Sequence, residues 1–242
     1  MAPLTRYKLT VASSADDLAR QAAERMASAI DLALAQRDRA QIALAGGSTP
    51  AATYRHLGSE HLPWDRVDVV LGDERWVEPT DPASNARMLA ETLLAQEPGS
   101  MARFHPAPTD RADPAAGAAA YGELIASLCP GDPPRFDLMV LGLGDDGHTA
   151  SLFPGTLAPT VSDRWVTVGE GKGLPRLTLT APVLSAARTV IFLVSGAGKA
   201  TALQRLLDPQ EPCERTPARL VQPEGEVQIL ADAAAAAALP VA

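Results

Sequence analysis

Short apolar runs alternate along the chain with longer stretches whose apolar positions recur every three or four residues. RYKLTV (6–11) alternates and predicts a first strand. Ser14 is placed as an N-cap, and Leu18, Ala22, Met26 and Ile30 then fall at helical spacing, predicting a long amphipathic helix over 16–36. QIALA (41–45), RVDVVL (66–71), FDLMVL (136–141) and TVIFLV (189–194) are short, nearly continuous apolar runs. Such runs belong to strands buried on both faces. Pro50 suits the first turn of a helix after GGSTP. Asp81-Pro82 predicts the opening of a helix carrying Met88, Leu89 and Leu93, and Asp113-Pro114 that of a helix reaching Leu128. PGDPPR (130–135) breaks the chain before the next strand. Residues 164–168, 176–180 and EVQIL (226–230) complete the predicted strands, and the Ala-rich tail, ADAAAAAALPVA, predicts a surface helix.

Strand and helix alternate almost throughout, without an internal repeat or a low-complexity linker. That pattern predicts one α/β domain over residues 1–242, with a mainly parallel sheet flanked by helices. The polar motifs all follow strands: GGST after QIALA, GDER after VDVVL, GDDGHT after FDLMVL and SGAGK after IFLV. Ligands of open α/β sheets bind beyond the carboxyl ends of the strands, so these four ends are expected to converge on one site.

Composition narrows the partners. The 242 residues carry a net charge of -8, which disfavours a nucleic-acid partner. No stretch is long and apolar enough to span a bilayer, and the N-terminus has no signal-peptide pattern. Cys129 and Cys213 lie in no CxxC pair, as expected of idle thiols in a reducing cytoplasm. The histidines have no metal-ligand spacing, and HEXXH and GxSxG are absent.

Each strand end has its own chemistry. Gly47 allows close backbone approach, and the N–H and hydroxyl groups of Ser48 and Thr49 can hold a phosphate. The same residues also suit a plain strand–helix turn. GGSTP matches neither the dinucleotide fingerprint nor the Walker pattern. Lys199 lacks the Ser or Thr that follows a P-loop lysine, but it can serve as a point charge for a phosphate or simply be solvated. Arg176 can reach across the same strand ends or form a surface ion pair. Asp73, Glu74 and Arg75 form either a solvated loop or an arm of the site. Asn85 and Arg87 are expected to cap and solvate a helix start. His148 alone among the four histidines sits among acids and glycines after a buried strand, where proton transfer near neutral pH is its natural chemistry. Asp145 and Asp146 are expected to raise its pKa, or one of them to fix its tautomer.

GLGDDGHTASLFPGT (142–156) closely resembles the signature of the 6-phosphogluconolactonases. LAGGSTP, LGDERWV with the later SNARM, RLTLT and SGAGKA match the same family in the same order, over residues 41–200 and more weakly beyond. GGSTP and GAGKA are shared with the wider superfamily that includes glucosamine-6-phosphate deaminases. The resemblance implies a Rossmann-like sheet, no cofactor, and hydrolysis of 6-phosphoglucono-δ-lactone to 6-phosphogluconate in the oxidative pentose phosphate pathway. It implies His148 as the base that activates water, Asp146 as its orienting partner and Arg75 as a substrate or oxyanion contact. Ser48, Thr49, Arg176 and Lys199 would hold the phosphate, and Asp73 matches a position that moves protons in the deaminases.

Two rivals differ in testable ways. A deaminase-like isomerase has a glutamate-bearing segment soon after the histidine, and no glutamate stands between His148 and Asp163. A non-catalytic sugar-phosphate sensor is expected to carry a DNA-binding segment, which this acidic chain does not offer. The remaining expectation is a monomer or small homo-oligomer acting on a small sugar-phosphate lactone.

Overall fold

The computed structural model describes residues 6–239. Seven strands form one parallel sheet: β1 (Arg6–Ala12), β2 (Ala40–Leu44), β3 (Val67–Leu71), β5 (Arg103–Phe104), β6 (Leu138–Gly142), β9 (Thr189–Val194) and β10 (Glu226–Asp232), in the order β1-β10-β9-β6-β2-β3-β5. The chain runs outward from β2 through β3 to β5, then returns to β6 and runs outward the other way through β9 and β10. The reversal between β2 and β6 opens a crevice at their carboxyl ends, the usual ligand position in Rossmann-like folds.

The continuous apolar runs are explained by burial on both faces. Ile42, Leu44, Val69, Leu71, Leu138, Val140, Ile191 and Leu193 point into one core cluster, with α1 (Ala15–Gln36) and α2 (Ser48–Leu57) packed over them. Their neighbours Ala43, Val70, Met139, Leu141, Val190 and Phe192 point into the other, against α4 (Pro114–Leu128), α5 (Ala181–Ala186) and α6 (Ala200–Leu207). Side chains alternate across a strand, so a helix on each face demands apolar residues at every position.

Helix starts follow their caps. The Ser14 hydroxyl accepts from the Asp17 N–H at 3.1 Å, and Asp16 and Asp17 favour the positive end of α1. Asp113 accepts from the Ala116 N–H at 2.8 Å, with Pro114 at the first helical position of α4. The predicted helix at Asp81-Pro82 starts later. Asp81 instead closes a turn, accepting from the Ala83 N–H at 2.7 Å, and Ser84 caps α3 (Asn85–Ala90). α3 ends before Leu93, which begins a separate 3-10 turn. The Ala-rich tail contributes only α7 (Ala233–Ala236), capped by Asp232; residues 240–242 lie outside the described residues.

A second, antiparallel sheet, absent from the sequence reading, covers the crevice. Its strands are β4 (Asp73–Arg75), β7 (Val166–Gly171) and β8 (Leu174–Leu179), in the order β4-β8-β7. Predicted strands at 164–168 and 176–180 are therefore shifted by about two residues from β7 and β8. Cys129 and Cys213 are both free, and burial pushes the Cys129 thiol up to about 12. No helix among the described residues is long and apolar enough to cross a membrane.

Candidate active site

The four polar strand ends meet in one cleft. Gly47, Ser48 and Thr49 reach it from β2, Asp73 and Arg75 from β3, His148 from β6, and Ser195 and Lys199 from β9; Arg176 enters from the second sheet. Asp146 does not line the cleft and contacts the His148 ring at its edge, and Glu74, Asn85, Arg87 and Asp145 lie outside it as well.

At β2, Gly47 adopts φ +109°, which lets the chain turn directly into α2 without a side-chain cap. Ser48 and Thr49 are therefore the first residues of the helix, and no capping hydrogen bond occupies their hydroxyls. Pro50 has no N–H to offer, so the anion-binding groups of this helix start are those of Ser48 and Thr49. Gly46 is required by close packing. A Cβ there would lie 1.9 Å from Asn85 Oδ1.

Asp73, Glu74 and Arg75 obey the alternation of a strand. Asp73 and Arg75 face the cleft, while Glu74 turns the other way and is buried. The Glu74 carboxylate accepts from the backbone N–H groups of Arg75, Asn85 and Ala86 at 2.7–2.8 Å. It thereby ties β4 to the start of α3. The Asn85 amide donates to the Asp73 carbonyl at 2.8 Å. Asn85 is thus a buried fastener rather than a solvated cap. Arg87 meets the solvating expectation, pairing with Glu91 at 2.7 Å on the surface.

Arg176 departs from a surface ion pair. It is only 6% exposed, in the interior of β8 and directly opposite Arg75. Two arginines in cross-strand register repel each other and favour an anion between or beside them. Asp73 lies 3.6 Å from Arg176 and offsets part of that charge. Arg176 also donates to the Gly171 carbonyl at 3.2 Å, and its guanidinium lies over the Phe153 ring. Arg75 donates to the Ala83 carbonyl, but its buried Nε has no partner among the described residues.

His148 is held from three sides. Asp146 accepts from its backbone N–H at 3.0 Å and from ring Nδ1 at 2.5 Å. The Phe153 ring lies 4.1 Å away, centroid to centroid. The His148 carbonyl accepts from the Gly144 N–H at 2.8 Å, closing the loop on itself. Burial lowers the His148 pKa below the ordinary histidine value, and Asp146 offsets only part of this. The expected rise from nearby acids does not result: Asp145 is exposed and desolvation outweighs Asp146. For Asp146, burial acts upward, but the hydrogen bonds from His148 hold it below the usual carboxylate range. A neutral, oriented imidazole beside an ionised carboxylate can take up a proton.

Several contributors escaped the sequence reading. Ser151 is fully buried, and its hydroxyl donates to Asp73 at 2.6 Å. Thr149 donates to the Gly142 carbonyl at 2.8 Å. Thus TASLF locks both Asp73 and His148, a structural content that the bare motif does not reveal. Asp232, at the end of β10, accepts from the Ser195 hydroxyl at 2.5 Å and the Gly196 N–H at 3.0 Å, and so fixes the loop bearing Lys199. Lys172, at the tip between β7 and β8, also lines the cleft.

The chain is similar to known proteins along most of its length. A 6-phosphogluconolactonase of Synechocystis sp. is 47% identical over 84% of this chain and 86% of its own length. One from Nostoc sp. is 43% identical over 88% and 90%. The solved structure of 6-phosphogluconolactonase from Trypanosoma brucei superposes with a TM-score of 0.85 at 32% identity, covering 98% of this chain and all of that one. The sequence model of the family described as glucosamine-6-phosphate isomerases/6-phosphogluconolactonase matches residues 13–230, and the chain belongs to that family.

Proposed function

We propose that the chain hydrolyses 6-phosphoglucono-δ-lactone to 6-phosphogluconate in the oxidative pentose phosphate pathway, with His148 as general base. What carries this is the His148–Asp146 pair set in a cleft that also presents two adjacent arginines and an uncapped helix start. The relatives named 6-phosphogluconolactonase support the choice of substrate.

The phosphate is held by Gly47, Ser48 and Thr49 at the start of α2, with Arg176 and Lys199 as cations. Asp73 keeps Arg176 in place. Binding through the phosphate fixes the lactone carbonyl relative to His148. Neutral His148 takes a proton on Nε2 from a water whose oxygen bonds to C1. Asp146 steadies the resulting imidazolium. The Arg75 guanidinium, on the cleft wall, stabilises the negative oxygen of the tetrahedral intermediate. The bond between C1 and the ring oxygen then breaks, and the Nε2 proton passes to that oxygen. The new carboxylic acid ionises to solvent, and the histidine is neutral again.

One copy supplies every side chain named, as suits a single-domain monomer or small homo-oligomer. The two free thiols suit the cytoplasm.

The test is lactone opening measured against the spontaneous rate, for wild type and His148→Ala. Wild type should accelerate opening, and His148→Ala should lose about 10²- to 10⁴-fold in kcat. No acceleration by wild type, or release of ammonia from glucosamine 6-phosphate as its main activity, overturns the assignment. Full activity in the variant removes His148 as the base.

A further inference from the structure

The cleft holds more positive charge than a phosphate clamp requires. Four cationic side chains line it: Arg75, Lys172, Arg176 and Lys199. Arg176 lies beside Asp73 at 3.6 Å, and Arg75 is tied to the Ala83 carbonyl. Among the described residues, Lys172 and Lys199 have no carboxylate at ion-pair distance. Lys199 sits on the β9–α6 loop, at the strand ends with Ser195. Lys172 comes from a different direction, the hairpin of the second sheet.

That hairpin is anchored on the histidine side of the cleft. Gly171 passes so close to Phe153 that a Cβ on it would lie 2.2 Å from the ring. The same ring packs against the His148 imidazole at 4.1 Å and lies beneath the Arg176 guanidinium. The Gly171 carbonyl is held by Arg176 at 3.2 Å. Lys172 follows directly, in the left-handed conformation with φ +55°, and Gly173 continues the turn at φ +79°. A lysine gains nothing from that conformation, which favours glycine or asparagine. The field of Lys172 reaches both His148 and Asp146.

We propose that Lys172 is a second anion-recognition residue, which binds the charge formed at C1 of the substrate and the carboxylate of the product. This rests on the lactone hydrolysis proposed above. The substrate carries one anionic group, its phosphate, whereas the product carries two. Lys199 and the start of α2 meet the first. Lys172, on the side of His148, meets the second. It thereby distinguishes a C1 carboxylate from an uncharged C1 alcohol.

The experiment compares two competitive inhibitors, 6-phosphogluconate and glucitol 6-phosphate, which differ in charge at C1. Lys172→Asn and Lys172→Gly are the variants, since both residues suit the left-handed turn and leave the hairpin unstrained. Wild type should bind 6-phosphogluconate the more tightly. Both variants should lose that preference by on the order of tenfold, with glucitol 6-phosphate binding unchanged. Lys199→Ala should weaken both inhibitors together. Unchanged preference in the Lys172 variants overturns the proposal, and so does equal weakening of both inhibitors. Failure of wild type to open the lactone at all would instead overturn the functional assignment on which it rests.

Discussion

Asp146 accepts two hydrogen bonds from His148, one from the backbone at 3.0 Å and one from the ring at 2.5 Å. An ionised carboxylate only accepts, so the ring proton sits on Nδ1 and the lone pair on Nε2. The backbone bond fixes the carboxylate, and the carboxylate fixes the tautomer. Asp146→Asn replaces an acceptor with a group that can also donate to Nδ1. The proton would then move to Nε2, where it blocks uptake from water. A loss of about 10²-fold or more in kcat is expected, with KM nearly unchanged. A kcat within a few-fold of wild type would separate Asp146 from the proton transfer.

The pH profile follows from the sign of the His148 shift. Burial lowers its pKa, with Asp146 pulling the other way. The base must be neutral, so activity is present above the folded pKa and is lost as pH falls through it. The acid limb of kcat/KM should therefore have its midpoint below the usual histidine value of about 6.5. In Asp146→Asn the upward pull disappears, and the limb should move lower still. Rates from about pH 4.5 to 8, corrected for spontaneous opening, test both statements. A midpoint above about 6.5 would contradict the environment described here.

Gly144 is the strictest position near this pair. A Cβ there would lie 2.0 Å from His148 Nδ1 and 2.6 Å from Asp146 Oδ1. Gly144→Ala must push the imidazole out of line without touching the phosphate site. The expected result is a kcat loss of about 10²-fold, a KM near wild type and an unchanged far-ultraviolet spectrum. A large rise in KM with kcat intact would mean that the histidine tolerates the shift and the phosphate site does not.

The parallel sheet was legible because β2, β3, β6 and β9 are short apolar runs, and burial on both faces leaves that mark. The convergence of four strand ends followed from the same rule. The second sheet was less legible. β4 is three residues, too short for any period to register, and its strand character comes from pairing with β8 about a hundred residues away. Arg176 was open to reading as a surface ion-pair residue for this reason, since nothing local shows that another strand and the Phe153 ring cover it. Ser151 and Asp232 act on partners 78 and 37 positions away, beyond any local pattern. Lys172 did leave a signal, the GKG turn between two strands. The side of the cleft it faces depends on the packing of Gly171 against Phe153.

Glu211 supports the catalytic loop from behind and yields a stability prediction. Its carboxylate is buried and accepts from Arg205 at 2.9 Å, Arg215 at 2.8 Å and Thr216 at 2.6 Å. Thr216 packs against Gly147, where a Cβ would meet it at 3.0 Å, and Ala218 donates to the Gly147 carbonyl. Burial alone would raise the Glu211 pKa, but Arg215, Thr216 and Arg205 hold it down to about 2. A carboxylate depressed on folding stabilises fully above its unfolded pKa, and that stabilisation is lost as pH falls through the folded value. Part of the acid unfolding of wild type should therefore fall between about pH 4.5 and 2. Glu211→Gln should flatten that slope and cost about 2 kcal/mol at neutral pH, read by urea titration across the range. Because Gly147 precedes His148, kcat should also fall several-fold while KM holds. Superimposable stability curves for the two proteins would show that Glu211 does not anchor this loop.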